Sequence, residues 1–437
     1  VITNKPYQVL AGVPEVASSL IMSVTKNRTK DQLDQESDYI GARLSADKNS
    51  MYLSCLTKHM DKGLELMSDV LMNATFPQEE VDRIMNVNES NLLSAKSDAG
   101  TMLGNARAVA NFPSSHPYGE VMTEESLANM SREAIVQYYR ETFTPNGAYL
   151  VIVGDINRAD AEAAVNKYFA GWNGGKMVKT NLPDGNTNDG NRVIFVNKNG
   201  AVQSVISVSF PIEITPSHPD YIKLRVLNGI LGGGAFGNRL MQNLREDKAY
   251  TYGCRSSVSV DMYGSTFSAG GNFRNEVTDS SIAEILYELD RITKSMVEDE
   301  ELALTKASMA GGFSRSLESP STVAQFALAI TRYDLPKDYY QTYLKKLDAV
   351  TKEDILAVAK KYLKPNKANI IVVGNEEIVD RLKQFDADGK IEKMDAFGRA
   401  MKDRKNADIS AEELFAKHTT AVAMGAEIGR ASCRERV

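Results

Sequence analysis

An arginine and a tyrosine seven residues apart, Arg245 and Tyr252, stand in the run GGGAFGNRLMQNLREDKAYTYG from Gly232 to Gly253. Arginine offers a fixed fork of donors suited to a carbonyl or carboxylate, and tyrosine offers a hydroxyl on a rigid ring. Together they can hold an extended peptide backbone; the alternative at this spacing is a surface arginine beside a packed tyrosine. Gly232, Gly233 and Gly234 open the run. They form no phosphate loop, because no Gly-Lys-Ser/Thr follows, and instead mark a tight entry to the helix-like stretch of Arg239, Leu240 and Leu244. Other chemistry-bearing residues are scattered. His59, His116, His218 and His418 are too dispersed for a local metal motif, and they read as structural or surface residues. Cys55, Cys254 and Cys433 form no CxxC pair and no disulfide framework.

What must position Arg245 and Tyr252 is a chain of 437 residues, too long for one core, so two or more domains are expected. Hydrophobic content of 43% with 25% charged residues is that of an ordinary globular protein. A net charge of −6 argues against nucleic acid or an anionic membrane surface as the main partner. No run of eighteen apolar residues exists to span a membrane. The chain opens on Val1, and the expectation is that its natural N-terminus lies further upstream.

Periodicity assigns the elements. Tyr7–Leu20 passes from an extended piece into an apolar helix, Leu33–Ala46 reads as helix, and Ser50–Thr57 alternates as a strand. Lys58–Asn73 and Gln78–Ala110 read as helices separated by Phe76-Pro77, and Asn111–Gly119 is a loop. A phrase then occurs twice. Ser131-Arg-Glu-Ala-Ile-Val starts a capped helix that runs to Phe143-Thr-Pro-Asn146 and a strand, Ala148–Gly154. Thr351-Lys-Glu-Asp-Ile-Leu, Leu363-Lys-Pro-Asn366 and Ala368–Gly374 repeat it, with Glu133, Ile135, Pro145 and Gly154 matching Glu353, Ile355, Pro365 and Gly374. The offset is 220 throughout (374 − 154), so the chain is an internal duplication of an α+β unit. A polar Gly/Asn-rich stretch, 173–191, has linker composition, and the second half opens on the strands Val193–Val196 and Val202–Phe210.

These features together resemble the insulinase and mitochondrial-processing-peptidase family, the pitrilysin-like inverted-motif zinc peptidases, in its bacterial branch. HPYGE (His116–Glu120), TPNGAYLVIVGDI (Thr144–Ile156) and LREDKAYTYG (Leu244–Gly253) carry the resemblance, which covers residues 7–380. It implies an α+β fold of two homologous domains closing like a clamshell around a peptide. The expected division is 1–175 for the first domain, N-terminally truncated, 176–191 for the linker and 192–385 for the second domain. An incomplete extension follows over 386–426, and 427–437 (EIGRASCRERV) reads as the translation of a sequencing adapter. In the family, HxxEH and a distal glutamate bind zinc in the first domain, while an Arg and Tyr of the second domain hold the substrate. The latter pair matches Arg245 and Tyr252.

The zinc motif is degenerate. By position it falls on Glu15, Val16, Ala17, Ser18 and Ser19, so Glu15 and Ser19 replace the two histidines and Ser18 replaces the general base. One carboxylate and two hydroxyls do not make the three-ligand site that catalytic zinc requires. Glu89, near the place of the distal ligand, reads as a solvated helix residue. The resemblance therefore implies a non-catalytic subunit, with no cofactor of its own, that completes the peptide chamber of a homologous HxxEH-bearing, zinc-bearing partner. Its substrate would be a peptide or small protein, its place the periplasm or cell envelope, and Arg245 and Tyr252 would form an oxyanion clamp. Gly232–Gly234 would let that loop approach the partner, and Val202–Phe210 could present a strand edge to the peptide. Two other readings stay open: a structural or assembly protein built on the peptidase fold, and a peptidase with unrecognised ligands or a fragment of a longer active one.

Overall fold

Most of the first-half helices begin where a side chain can satisfy the first unpaired backbone amides. In the first half these are α1 (Val13–Ile21), α2 (Lys30–Tyr39), α3 (Met60–Asn73), α4 (Gln78–Ala95), α5 (Ala99–Asn111), α6 (Glu124–Ala128), α7 (Arg132–Thr142) and α8 (Arg158–Phe169). Thr29, Asp98, Thr123, Ser131 and Asn157 each accept a hydrogen bond from an amide of the first turn, an arrangement worth about 1 kcal/mol per cap. Four short strands accompany them: β1 (Val24–Thr25) pairs with β4 (Ala74–Thr75), and β2 (Arg43–Asp47) pairs with β3 (Ser50–Ser54). The computed structural model describes residues 9–175, 181–234 and 237–401. The segment read as an adapter and most of the C-terminal extension lie outside the described residues, as do parts of the linker and of the Gly-rich run.

The second half is built on one six-stranded sheet. Its strands are β5 (Arg192–Asn197), β6 (Gln203–Ile212), β7 (Thr251–Ser259), β8 (Ser265–Arg274), β9 (Asn369–Gly374) and β10 (Glu392–Met394), in the order β10-β5-β9-β6-β8-β7. β5 runs parallel to β9 and β10, and the other pairs are antiparallel. Helices α9 (Tyr221–Asn228), α10 (Arg239–Met241), α11 (Thr278–Lys294), α12 (Asp299–Ser316), α13 (Pro320–Arg332), α14 (Tyr343–Asp348), α15 (Lys352–Tyr362) and α16 (Val379–Leu382) complete it. All six residues of β9 are buried, as a strand covered on both faces requires.

The two faces are covered from different halves. Because side chains alternate along a strand, Val193, Phe195, Ile206, Val208, Ile370 and Val372 point one way and pack on α9, α11 and α15 of their own half. Ile194, Val196, Ile371 and Val373 point the other way and pack on Met102, Ala106 and Ala110 of α5, which belongs to the first half. Each large apolar side chain buried there contributes roughly 1.5–3 kcal/mol. Asn369, fully buried, fixes this joint: its Nδ2 donates to Asn111 Oδ1 (3.0 Å) and to the Ala110 carbonyl (3.3 Å).

The repeated phrase folds alike at its start and differently at its end. Ser131 Oγ accepts from the Ala134 amide, and Thr351 Oγ1 from the Asp354 amide, so both helices are capped as expected. Residues 148–154, expected to be a strand, are half-exposed with one bridge residue, Tyr149, and join no ladder among the described residues. Their counterpart β9 is held between β5 and β6; the 220-residue register places no equivalents of those strands within the described first half. An apolar segment without ladder partners does not make a strand. Other expectations are corrected too. Leu33–Ala46 is the end of a helix followed by β2, and Gln78–Ala110 is two helices, restarted by the Asp98 cap. The stretch Val202–Phe210 forms β6, an interior strand paired on both sides, so it has no edge to offer a peptide.

Candidate functional site

Arg245 and Tyr252 are brought together. The guanidinium carbon of Arg245 lies 5.4 Å from the centre of the Tyr252 ring, a cation–π contact worth about 0.5–1 kcal/mol at an exposed site. Arg245 also pairs with Glu246 (3.4 Å) and keeps 29% of its side-chain surface open. Tyr252 is 92% exposed, so the alternative of a packed tyrosine is excluded.

Three local departures from regular backbone set this arrangement. Arg245 sits in a π-helical turn, Gln242–Asp247, that follows α10; such wide turns recur at functional sites. Tyr252 sits at a β-bulge between Thr251 and Cys254, on a strand at the edge of the sheet. Bulges re-aim side chains, and this one needs Gly271 opposite, where a Cβ would stand 2.3 Å from the Gly253 carbonyl oxygen. Between them Ala249 adopts a left-handed conformation with φ 52°, which costs a non-glycine residue about 1 kcal/mol. Replacing Ala249 by glycine is therefore expected to raise stability by up to about 1 kcal/mol. Paired chemical melts of wild type and Ala249→Gly measure it, and a destabilised variant would contradict the strain.

Gly232 and Gly233 close a second π-helical turn, Gly229–Gly233, and Gly234 continues in extended backbone. The close approach that Gly232 serves is internal: a Cβ there would meet the Ser256 amide nitrogen of β7 at 2.5 Å. Gly232 thus lets the Gly229–Gly233 turn lie against the strand that carries Tyr252.

The degenerate motif lies on α1. Val13, Val16, Ala17 and Leu20 form its buried stripe, and α1 packs against α4 and α7. Ser18 and Ser19 Oγ both donate to the Glu15 carbonyl (2.8 and 3.2 Å), and the Glu15 carboxylate pairs with Lys48 (2.5 Å). Hydroxyls bonded back to their own helix, beside a carboxylate already paired with an ammonium, do not fit a zinc ion. Among the described residues no group of three or more His, Cys, Asp or Glu could hold a metal. Glu89 is exposed on α4.

The HPYGE stretch contributes a group that sequence reasoning missed. His116, fully buried, is structural as expected: its Nδ1 accepts from the Tyr118 amide, so its Nε2–H donates to the Tyr263 carbonyl at 2.8 Å. Glu120 is the surprise. Its Oε1 is buried with no hydrogen-bond partner among the described residues. Burial, and then the negative charge of Glu15, push its carboxyl up to about 7, against the pull of Lys48. A carboxyl raised above its unfolded value is protonated more readily in the folded state. Its stabilising contribution is full below about 4.5 and is lost as pH rises through about 7. After discounting for solvent screening, that loss is on the order of 1–2 kcal/mol. Glu120→Gln is expected to flatten the stability profile across this window, and the difference between the two urea-melt profiles isolates the group. A profile as steep as wild type would show that Glu120 is ordinary.

Comparison with known proteins places these features in a family. A profile described as Insulinase (Peptidase family M16) matches residues 8–107, and one described as Peptidase M16 inactive domain matches residues 129–309. The chain is 24% identical over 320 residues to the uncharacterized zinc protease YmxG of Bacillus subtilis, covering 71% of this chain and 76% of that protein. It is 21% identical over 354 residues to the non-peptidase homolog YmxG of Helicobacter pylori, covering 79% of each. The crystal structure of a peptidase M16 inactive domain from Pseudomonas fluorescens superposes with a TM-score of 0.77 at 22% identity, over 84% of this chain and 89% of that one.

Proposed function

Starting from the fact that the chain belongs to the insulinase family of peptidases, family M16, we propose that it is a non-catalytic, peptide-binding subunit that completes the proteolytic chamber of an HxxEH-bearing partner. HxxEH does not occur in these 437 residues, in which no two histidines stand four apart. The observation that carries the proposal is an asymmetry of retention. The donors on α1 are spent within the helix and on Lys48, whereas Arg245 and Tyr252 are stacked and presented at a sheet edge by strained, bulged backbone. A purely structural descendant of the fold has no need of the second arrangement.

In this reading residues 1–175 and 192–385 are the two homologous domains, joined by 176–191. The zinc resides in the partner, and the substrate is a peptide or small protein. Arg245 and Tyr252 grip a substrate carbonyl near that zinc, where a fixed cation and a hydroxyl oppose developing negative charge. The location is the periplasm or cell envelope, by analogy with bacterial relatives; no described helix is long and apolar enough to cross a membrane.

The test is hydrolysis of a quenched fluorescent peptide library by this chain alone and then mixed with a homologue that carries HxxEH. Cleavage only in the mixture is expected. Chelator-sensitive cleavage by this chain alone would refute the proposal, and silence in both cases would favour a structural role.

A further inference from the structure

Phe267, Ala269 and Phe273 of β8 and Cys254 of β7 turn toward the core of their own half. Alternation turns Ser268, Gly270 and Asn272 of β8 to the other face, and with them their β7 neighbours Arg255 and Ser257. On that face α5 packs over β5, β9 and β6, while these residues of β8 and β7 stay half-exposed or exposed. The uncovered floor is basic. Arg107, Arg255 and Arg274 are the only charged residues of α5, β6, β7 and β8, in a chain whose net charge is −6.

One of the three has structural work: Arg274 Nη2 donates to the Ala249 carbonyl (3.3 Å) and braces the turn that carries Arg245. The other two are not neutralised. Arg255 reaches only the Gly234 carbonyl, at 3.5 Å, and Arg107 forms no ion pair among the described residues. Burial lowers the Arg107 guanidinium from its ordinary value, and no carboxylate stands beside it to offset that. The fold brings the two to one place. Asn105 of α5 donates to the Ala396 carbonyl (2.9 Å) just past β10, so Arg107, about 200° further round the helix, flanks the opposite side, toward β8 and β7. Asn111, one turn on, meets Ser209 Oγ of β6 (3.3 Å), which sets Arg107 level with Ser207. Ser207, Gly270 and Arg255 are direct neighbours across three strands, about 10 Å from first to last. The middle position carries no side chain, and a Cβ there would stand 1.9 Å from the Ile206 carbonyl oxygen. We propose that Arg107 and Arg255, on either side of Gly270, bind a carboxylate of the peptide that Arg245 and Tyr252 grip. Arg255 lies three residues from Tyr252, about 10 Å of strand, so the acid sits roughly three residues from the gripped carbonyl. The subsite deepens the peptide-binding reading above and rests on it.

The test uses the 437-residue chain and three rhodamine-labelled peptides of alanine and serine, with binding read by fluorescence anisotropy. One carries a central glutamate and one a central glutamine, both with amidated ends; the third keeps the glutamine and ends in a free carboxylate. The glutamate or the free-carboxylate peptide is expected to bind at least about tenfold tighter than the amidated glutamine peptide, the margin of one charge-assisted hydrogen bond. Whichever of the two leads names the source, acidic side chain or chain terminus. Arg107→Gln and Arg255→Gln are each expected to remove most of that difference; Arg255 is exposed, so its variant keeps the test valid should Arg107→Gln melt early. Equal affinity for all three peptides, with binding still lost in Tyr252→Ala, would overturn the carboxylate subsite and leave the peptide-binding reading standing. So would a preference for the acid that survives both arginine variants. Binding of no peptide, or binding indifferent to Tyr252→Ala, would remove the peptide-binding reading and the subsite with it.

Discussion

Arg245→Ala is expected to lower the turnover of the proposed reconstituted pair by about a hundredfold while KM changes a few-fold at most. The magnitude is that of removing one preorganised donor from an oxyanion site, about 10²–10³ in kcat. It applies under the proposed function because Arg245 is held in advance: stacked on Tyr252 and placed in a π-helical turn, it would lose little freedom on meeting a substrate. Arg245→Lys keeps the charge and loses the planar fork, so it recovers only part of the rate. Tyr252→Phe keeps the ring under the guanidinium and removes the hydroxyl, which separates positioning from hydrogen bonding. Initial rates across substrate concentrations, with partner in excess, measure all three. A rise in KM alone would mean that Arg245 binds ground state and transition state equally, as a docking residue does.

Asp69→Ala is expected to cost about 3–5 kcal/mol of stability. Asp69 is 4% exposed and collects four donors: Thr25 Oγ1 (2.8 Å), Asn27 Nδ2 (2.5 Å), Arg28 Nη1 (2.8 Å) and Asn73 Nδ2 (2.9 Å). Removing the carboxylate leaves Arg28, whose side chain is 12% exposed, paired only with the more open Glu36 and Glu65, and strands the other donors. The cost therefore comes from what stays behind. Asp69→Asn keeps an acceptor and loses less. Burial by itself would raise the Asp69 carboxyl, but the hydrogen bonds from Thr25, Arg28, Asn27 and Asn73 hold it below the usual value. Its contribution is thus present above the unfolded value of 3.8 and is lost as pH falls through the lowered one, opposite in sense to Glu120. Denaturant melts at neutral pH read the difference, and a loss below 1 kcal/mol would show that the site relaxes around the gap.

What the sequence made legible was whatever depends on neighbours in sequence. Ser131 and Thr351 cap their helices as their own turns dictate, and the 220-residue repeat announces two copies of one unit. The loss of zinc donors at Glu15, Ser18 and Ser19 is plain from residue type alone. Properties conferred by distant chain were not legible. Ala148–Gly154 has every local attribute of a strand and fails for want of partners, whereas Asn369–Gly374 has them. Nothing around Val202–Phe210 tells whether it lies at an edge or inside the sheet. Glu120 owes its raised carboxyl first to burial in the folded chain and then to Glu15, 105 positions away. Arg245 and Tyr252 could be named from their types, but the wide turn, the left-handed Ala249 and the bulge that stack them are backbone solutions with no residue signature beyond the glycines.

The covering of the second-half sheet by α5 also sets a timetable for synthesis. Asn111, at the end of α5, is translated 258 residues before Asn369, its buried hydrogen-bond partner at the start of β9 (369 − 111). At about 5–20 residues per second, the apolar stripe of Met102, Ala106 and Ala110 is made roughly 13–50 s before β9, the last of the strands that bury it. Until then β5 and β6 alone are available to cover the helix face, and the central place between them stays open to whatever chaperone or stray strand meets it first.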